Sequence, residues 1–220
     1  MAIPVIVSYD GTMHDDDALA LGRMLAAGGL ALSLAYVRHT REYDPRREEI
    51  GVYDANRRLE QGAQWLAQPD IQRHVVVNPS TSEGLAGLAA SEGAQLILFG
   101  SDYRTPPGHV EPGSTAQGLL EGGTVAIGVA AAGLRTRAEE TIKTIAVAGD
   151  SNGAAHRSAE ALAAALGAKL IDGRDADLIV VDSQPNAPAG TIALGGSTRA
   201  QLDAARGSVI VLPAGTPLAV

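Results

Sequence analysis

The chain contains no cysteine in its 220 residues. Disulfides, thiolate metal sites and cysteine nucleophiles are therefore excluded. Large aromatic side chains are scarce, with one Phe and one Trp. The core must be packed from alanine, leucine, valine and glycine, which suits helices lying close on a sheet. Positive charge is in deficit: 17 Lys and Arg stand against 25 Asp and Glu, a formal net charge of −8. That balance lacks the basic footprint of a general nucleic-acid binder and favours solubility. No uncharged apolar run reaches membrane-spanning length, and no basic stretch followed by an apolar one opens the chain. A cytoplasmic protein with neither a nucleic-acid nor a membrane partner is expected. Catalytic signatures are also missing. There is no Gly-x4-Gly-Lys-Ser/Thr loop and no Gly-x-Ser-x-Gly elbow. The five histidines, His14, His39, His74, His109 and His156, show no ligand spacing. With no general base poised against a nucleophile, binding is expected rather than catalysis.

What is present is one pattern written twice. Gly113-Ser114-Thr115 leads through Leu119-Leu120-Glu121-Gly122-Gly123 into Thr124-Val125-Ala126-Ile127. Gly196-Ser197-Thr198 leads through Leu202-Asp203-Ala204-Ala205-Arg206-Gly207 into Ser208-Val209-Ile210-Val211. Upstream, Ile3 to Val7 closing on Asp10 resembles Thr144 to Ala148 closing on Asp150, and Ala94 to Ser101 resembles Ala176 to Ser183. Three matched segments in one order argue for an internal duplication. The expected units span 1–132 and 142–220, joined by a linker over 131–141. The second is too short for a full copy and is expected to lean on the first.

Apolar, β-branched runs predict strands at 3–9, 30–37, 75–77, 96–99 and 125–129, and again near 144–148, 168–171, 178–181 and 209–212. Helices are expected from about Asp15, over about 46–67, from Thr81/Ser82 and from Ser114. Ile50, Tyr53, Leu59 and Leu66 are candidates for the buried side of the long one. Strands alternating with helices predict an α/β fold with parallel, doubly wound sheets and right-handed crossovers. Val125–Val129 and Val209–Leu212 are candidates to pair within the chain, hiding two sheet edges.

In such sheets ligands sit beyond the carboxyl ends of strands, near a switch in strand order. Asp10, Val37, Gly100 and Gly113-Ser114 fall at such places. A helix start preceded by glycine offers unpaired N–H groups to a phosphate. Ser114 and Thr115 add hydroxyl donors, and Asp10 can accept from a ribose hydroxyl or an adenine amine.

On these residues the chain resembles a tandem member of the universal stress protein family. Nucleotide-binding members carry Gly-x2-Gly-x9-Gly-Ser/Thr between the fourth strand and the last helix. Here Gly100 and Gly113-Ser114 fit that spacing, Tyr103 stands at the second glycine, and Arg104 occupies the basic position that often follows. Tyr9-Asp10-Gly11-Thr12 is similar to the family's first strand ending, and Tyr36-Val37 to the segment flanking the base. The resemblance covers most of residues 3–132 and, in weaker form, 143–214. It implies two units of universal-stress-protein (HUP-like) type, the second truncated, and an intramolecular pseudo-dimer with further homodimerisation open. It also implies ATP or AMP as ligand and a stress-response or regulatory role; the nearness of Asp15, Asp16 and Asp17 to the phosphate loop leaves a Mg²⁺-bridged role open. The implied site is Tyr9, Asp10 and Gly11 at ribose or base, Val37 beside the base, and Gly100, Arg104, Gly113, Ser114 and Thr115 around the phosphates. In the second half Asp182 replaces Gly100 and Pro185 stands near the second glycine, so that half is expected to be structural.

Two other readings stay open. The Tyr103 ring either packs aside or fills the phosphate loop, leaving a ligand-free interaction module. Separately, Asp10 to Leu21 is similar to the Asp-rich motif of nucleoside hydrolases, which hold Ca²⁺ with aspartates, although Ser8 stands where the motif's first Asp belongs. Asp10, Asp15, Asp16 and Asp17 would then serve a metal-dependent, nucleoside-hydrolase-like enzyme. As neighbours on a helix the last three point in different directions, and the simpler expectation is a solvated helix start.

Overall fold

The computed structural model describes residues 4–148, 153–173 and 175–220. The elements run β1 (Pro4–Ser8), α1 (Asp15–Ala26), β2 (Ala31–Arg38), α2 (Pro45–Trp65), β3 (Gln72–Val77), α3 (Thr81–Glu92), β4 (Leu96–Phe99), α4 (Ser114–Leu120) and β5 (Ala126–Val129). A 3-10 turn at Leu134–Arg137 follows, then β6 (Thr144–Ala148), α5 (Ala154–Leu166), β7 (Lys169–Leu170), β8 (Leu178–Asp182), α6 (Gly196–Asp203) and β9 (Ser208–Leu212).

The strands form one nine-stranded sheet in the order β3-β2-β1-β4-β5-β9-β8-β6-β7. All neighbours are parallel except β5 and β9, which pair antiparallel through Ile127 with Val211, Gly128 with Ile210 and Val129 with Val209. The pairing expected between Val125–Val129 and Val209–Leu212 is present, and it joins the two parallel strand sets into one sheet. Strands covered on both faces are apolar throughout, as Val5 to Val7 and Leu96 to Leu98 are, all fully buried. One face is covered by α1, α2 and α5, through side chains such as Leu21, Leu59 and Leu162. The other is covered by α3, α4 and α6, through Leu85, Leu119 and Leu202.

Local bonding recurs between the halves. Ser101 Oγ donates to the Ala130 carbonyl at 2.7 Å, and Ser183 Oγ to the Leu212 carbonyl at 2.7 Å. Each hydroxyl accepts from a loop amide, Glu111 N–H at 3.3 Å and Ala193 N–H at 3.2 Å. This correspondence sets Asp182 opposite Gly100 and moves the match at the following helix start by one residue. Gly113 begins α4 with φ −66° and ψ 169°; its structural counterpart, beginning α6 with φ −76° and ψ 168°, is Gly195 rather than Gly196. Asp150, aligned with Asp10 in the sequence, lies outside the described residues.

Two expectations need correction. On α2, Leu59 and Leu66 are buried but Ile50 and Tyr53 are 60% and 67% exposed. The buried side is made instead by Ala55, Leu59, Gly62 and Ala63, so only the carboxyl-terminal half of the helix lies on the sheet. The segment expected as a linker is pinned: Asp17 on α1, only 1% exposed, accepts from Gly133 N–H, Arg135 N–H and the Arg135 guanidinium at 2.8–2.9 Å. In the second half β8 follows β7 in the element order, with no counterpart of α2, β3 and α3 among the described residues.

Candidate functional site

The chain runs outward from β1 to β2 and β3, then returns to β4 beside β1. That reversal opens a crevice beyond the carboxyl ends of β1 and β4. Its volume is about 420 Å³, within the range of small-ligand sites. Tyr9, Asp10, Val37, Gly100, Gly113, Ser114 and Thr115 all line it, joined by Asp15, Tyr36, His39, Thr81 and Asp102.

The loop after β1 is held by its own helix. Thr12 N–H and Oγ1–H both donate to Asp15 Oδ2, at 3.1 and 2.8 Å, while Asp15 N–H points back to Thr12 Oγ1 at 3.4 Å. This reciprocal pair closes the turn that leads into α1, and it also fixes Asp10, whose N–H donates to the same carboxylate at 3.2 Å. Burial, then a hydrogen bond to Asp10 and that group's charge, push the Asp15 carboxyl up to about 7. Asp16 turns elsewhere and accepts from the Tyr9 hydroxyl at 3.3 Å; burial raises both groups above their ordinary values. Asp17 turns to the 133–135 segment. The three aspartates thus have three separate duties, and the expectation of a solvated helix start is corrected. Among the described residues no group of three His, Asp or Glu side chains is placed to hold a metal ion.

At the opposite wall, α4 presents its first N–H groups with no helical partner. Among the described residues neither the Ser114 nor the Thr115 hydroxyl bonds to protein. Gly113 has nothing within 4 Å of where a Cβ would stand, so it faces open space. Gly100 differs: a Cβ there would meet the His14 carbonyl oxygen at 2.0 Å. Its lack of a side chain serves the contact between β4 and the start of α1. In the second half the same contact is made differently, with Asp182 Oδ1 accepting from Ala155 N–H at 2.8 Å. A separate hollow of about 530 Å³ lies there, lined by Gly153, Arg157, Asp182, Gln184 and Thr198 among others.

Three sequence-predicted features lie elsewhere. Gly11 has φ +90°, a conformation glycine adopts freely; it shapes the loop without lining the crevice. Arg104 is exposed, with its guanidinium 4.9 Å from the Tyr103 ring centre, and does not reach the crevice. Tyr103 is 61% exposed and meets His14 edge-on, outside the lining, so the ring does not block the crevice. Residues missed by sequence reasoning are Thr81, Asp102 and Arg58. Arg58 donates to the Asp10 carbonyl and lies 5.5 Å from the Tyr36 ring centre. Only the Thr12–Asp15 turn had a sequence signal, Thr-x-x-Asp; Arg58 depends on how α2 is laid on the sheet.

No family model and no curated protein matches the sequence. Solved structures do share its fold. A universal stress protein from Archaeoglobus fulgidus DSM 4304 superposes with a TM-score of 0.59 at 16% identity, covering 96% of this chain and 98% of that one. A functionally unknown protein from Pseudomonas aeruginosa PAO1 gives 0.62 at 15%, covering 97% and 93%. A putative universal stress protein from Pseudomonas aeruginosa UCBPP-PA14 gives 0.60 at 16%, covering 96% and 92%. The chain therefore has an α/β fold of the universal-stress-protein type over nearly its whole length.

Proposed function

We propose that the chain is a tandem, universal-stress-protein-like binder of adenine nucleotides, with the site in its first unit and a regulatory role in stress following from occupancy. On this reading residues 1–132 form the binding unit and 142–220 a shortened, structural one. The adenine lies against Val37, a ribose hydroxyl donates to Asp10, and the 5′ phosphates reach Ser114 and Thr115 beside Gly113. The observation that carries the reading is the convergence of these residues on one crevice whose far wall holds hydroxyls without protein partners. Among the described residues three carboxyl groups, of Asp10, Asp15 and Asp102, line the same space, and no Lys or Arg does. A polyphosphate therefore needs a cation between it and these groups, and Mg²⁺ is the ion proposed.

Thermal melting with AMP and with ATP, each with and without Mg²⁺, tests this. Ligand at a hundred times its dissociation constant stabilises by about 2.7 kcal/mol. A shift with both nucleotides, larger for ATP when Mg²⁺ is added, is expected. Unchanged melting with millimolar nucleotide and Mg²⁺ rejects the site. Gly113→Val supplies the control: the substitution fills crevice space without displacing protein atoms, and it should abolish the shift while leaving the fold intact.

A further inference from the structure

We propose that the crevice takes an adenine nucleotide carrying a second phosphate on its ribose hydroxyl edge, held there by Arg58. The proposal rests on the nucleotide reading above and extends it to the class of nucleotide. Arg58 sits on the lip that joins the crevice to a second hollow of about 500 Å³; Tyr36 and His39 line both spaces, and Arg58 lines the second. Its stem packs against the loop at Gly11, 3.5 Å from the Cβ position there. Its guanidinium is fixed by the Asp10 carbonyl and the Tyr36 ring. Asp10 is the residue assigned to the ribose hydroxyls, so a group esterified to one of them lies beside this guanidinium.

The pairing around the hollow leaves the Arg58 guanidinium able to take an anion. Arg38 is spent on Glu48 in a two-pronged pair at 2.9 and 2.8 Å. Glu42, Arg47 and Asp54 also border the space. Among the described residues no carboxylate pairs with the guanidinium of Arg58 or of Arg47. Arg58 is half-buried and already oriented, which reduces the ordering cost of gripping a phosphate through its planar fork. The loop leading into α4, by contrast, brings the Asp102 carboxyl and no Lys or Arg to the crevice among the described residues. A nucleotide phosphorylated at both ends of its ribose would meet a bridging cation at one end and a guanidinium at the other.

Calorimetric titration of the full chain compares adenosine 5′-monophosphate with adenosine 3′,5′-bisphosphate and adenosine 2′,5′-bisphosphate, all with Mg²⁺. At least one bisphosphate should bind about tenfold more tightly than the monophosphate, the scale of one charge-assisted hydrogen-bond pair. Arg58→Gln should bring that ratio to about one, and Arg58→Lys should retain part of it. Circular dichroism and melting of both variants establish that they fold. Equal affinity of monophosphate and bisphosphates in the unmodified protein would overturn the proposal while leaving the nucleotide site standing. A ratio that survives Arg58→Gln would overturn it too. Absence of binding by all three would remove the nucleotide reading itself.

Discussion

At the residue scale, two glycines that look equivalent in the sequence have opposite demands. Gly100 has no room for a Cβ because the His14 carbonyl occupies that place, whereas Gly113 faces open space. Gly100→Ala should therefore destabilise the chain, on the order of 1–3 kcal/mol as an overpacking change, and Gly113→Ala should leave urea unfolding nearly unchanged. Asp15 supplies a pH test. Its carboxyl is raised from 3.8 to about 7 in the folded chain. The native protein thus keeps a proton that the unfolded chain releases. The resulting stability is present below about pH 4 and is lost as pH rises towards 7, with a slope on the order of 1 kcal/mol per pH unit. Urea titrations across pH 4 to 8 should show this decline in the unmodified chain and a flatter curve for Asp15→Asn. The spacing of Gly100 to Gly113-Ser114 and the aspartates were visible in the sequence, but not their separate partners. Consecutive side chains on a helix diverge by about 100°, and where each ends depends on neighbours distant in the chain.

At the element scale, strand and helix positions were largely readable because each buried strand is a short apolar run. The exceptions have physical causes. Ile50 and Tyr53 lie on the first half of α2, which extends past the sheet, and hydrophobic periodicity does not report where the sheet stops. The 131–141 segment reads as a linker because it is polar and irregular, yet Asp17 reaches it across the fold. The buried pair of Asp17 with Arg135 is its anchor. Asp17→Ala strands the Arg135 guanidinium and two backbone N–H groups, so a loss of about 3 kcal/mol is expected in equilibrium unfolding. Hydrogen exchange should localise the largest increase to residues 133–137.

At the scale of the whole molecule, the seam between β5 and β9 decides cooperativity. Val129, Val209 and their neighbours belong to one core layer running under both halves. Unfolding should proceed as a single transition despite the chain's length. The fluorescence of Trp65, on α2 in the first half, and far-ultraviolet circular dichroism of the whole chain should give coincident midpoints; separated midpoints would show that the halves melt independently. The matched segments were legible because they recur in one order, and the pairing of Val125–Val129 with Val209–Leu212 was legible as two apolar edges. The one-residue shift from Gly196 to Gly195 was not, since glycines stand at both positions and only the helix start distinguishes them.

Because β5 and β9 run in opposite directions, the two strand sets point away from each other and their hollows open at opposite ends of the sheet. No single small molecule spans both. Association of identical subunits would impose every substitution on both sides at once. Here both sides are written in one polypeptide, so Gly100 can change without Asp182 following. Each end of the sheet is free to be altered by mutation on its own, at a fixed ratio of one to one.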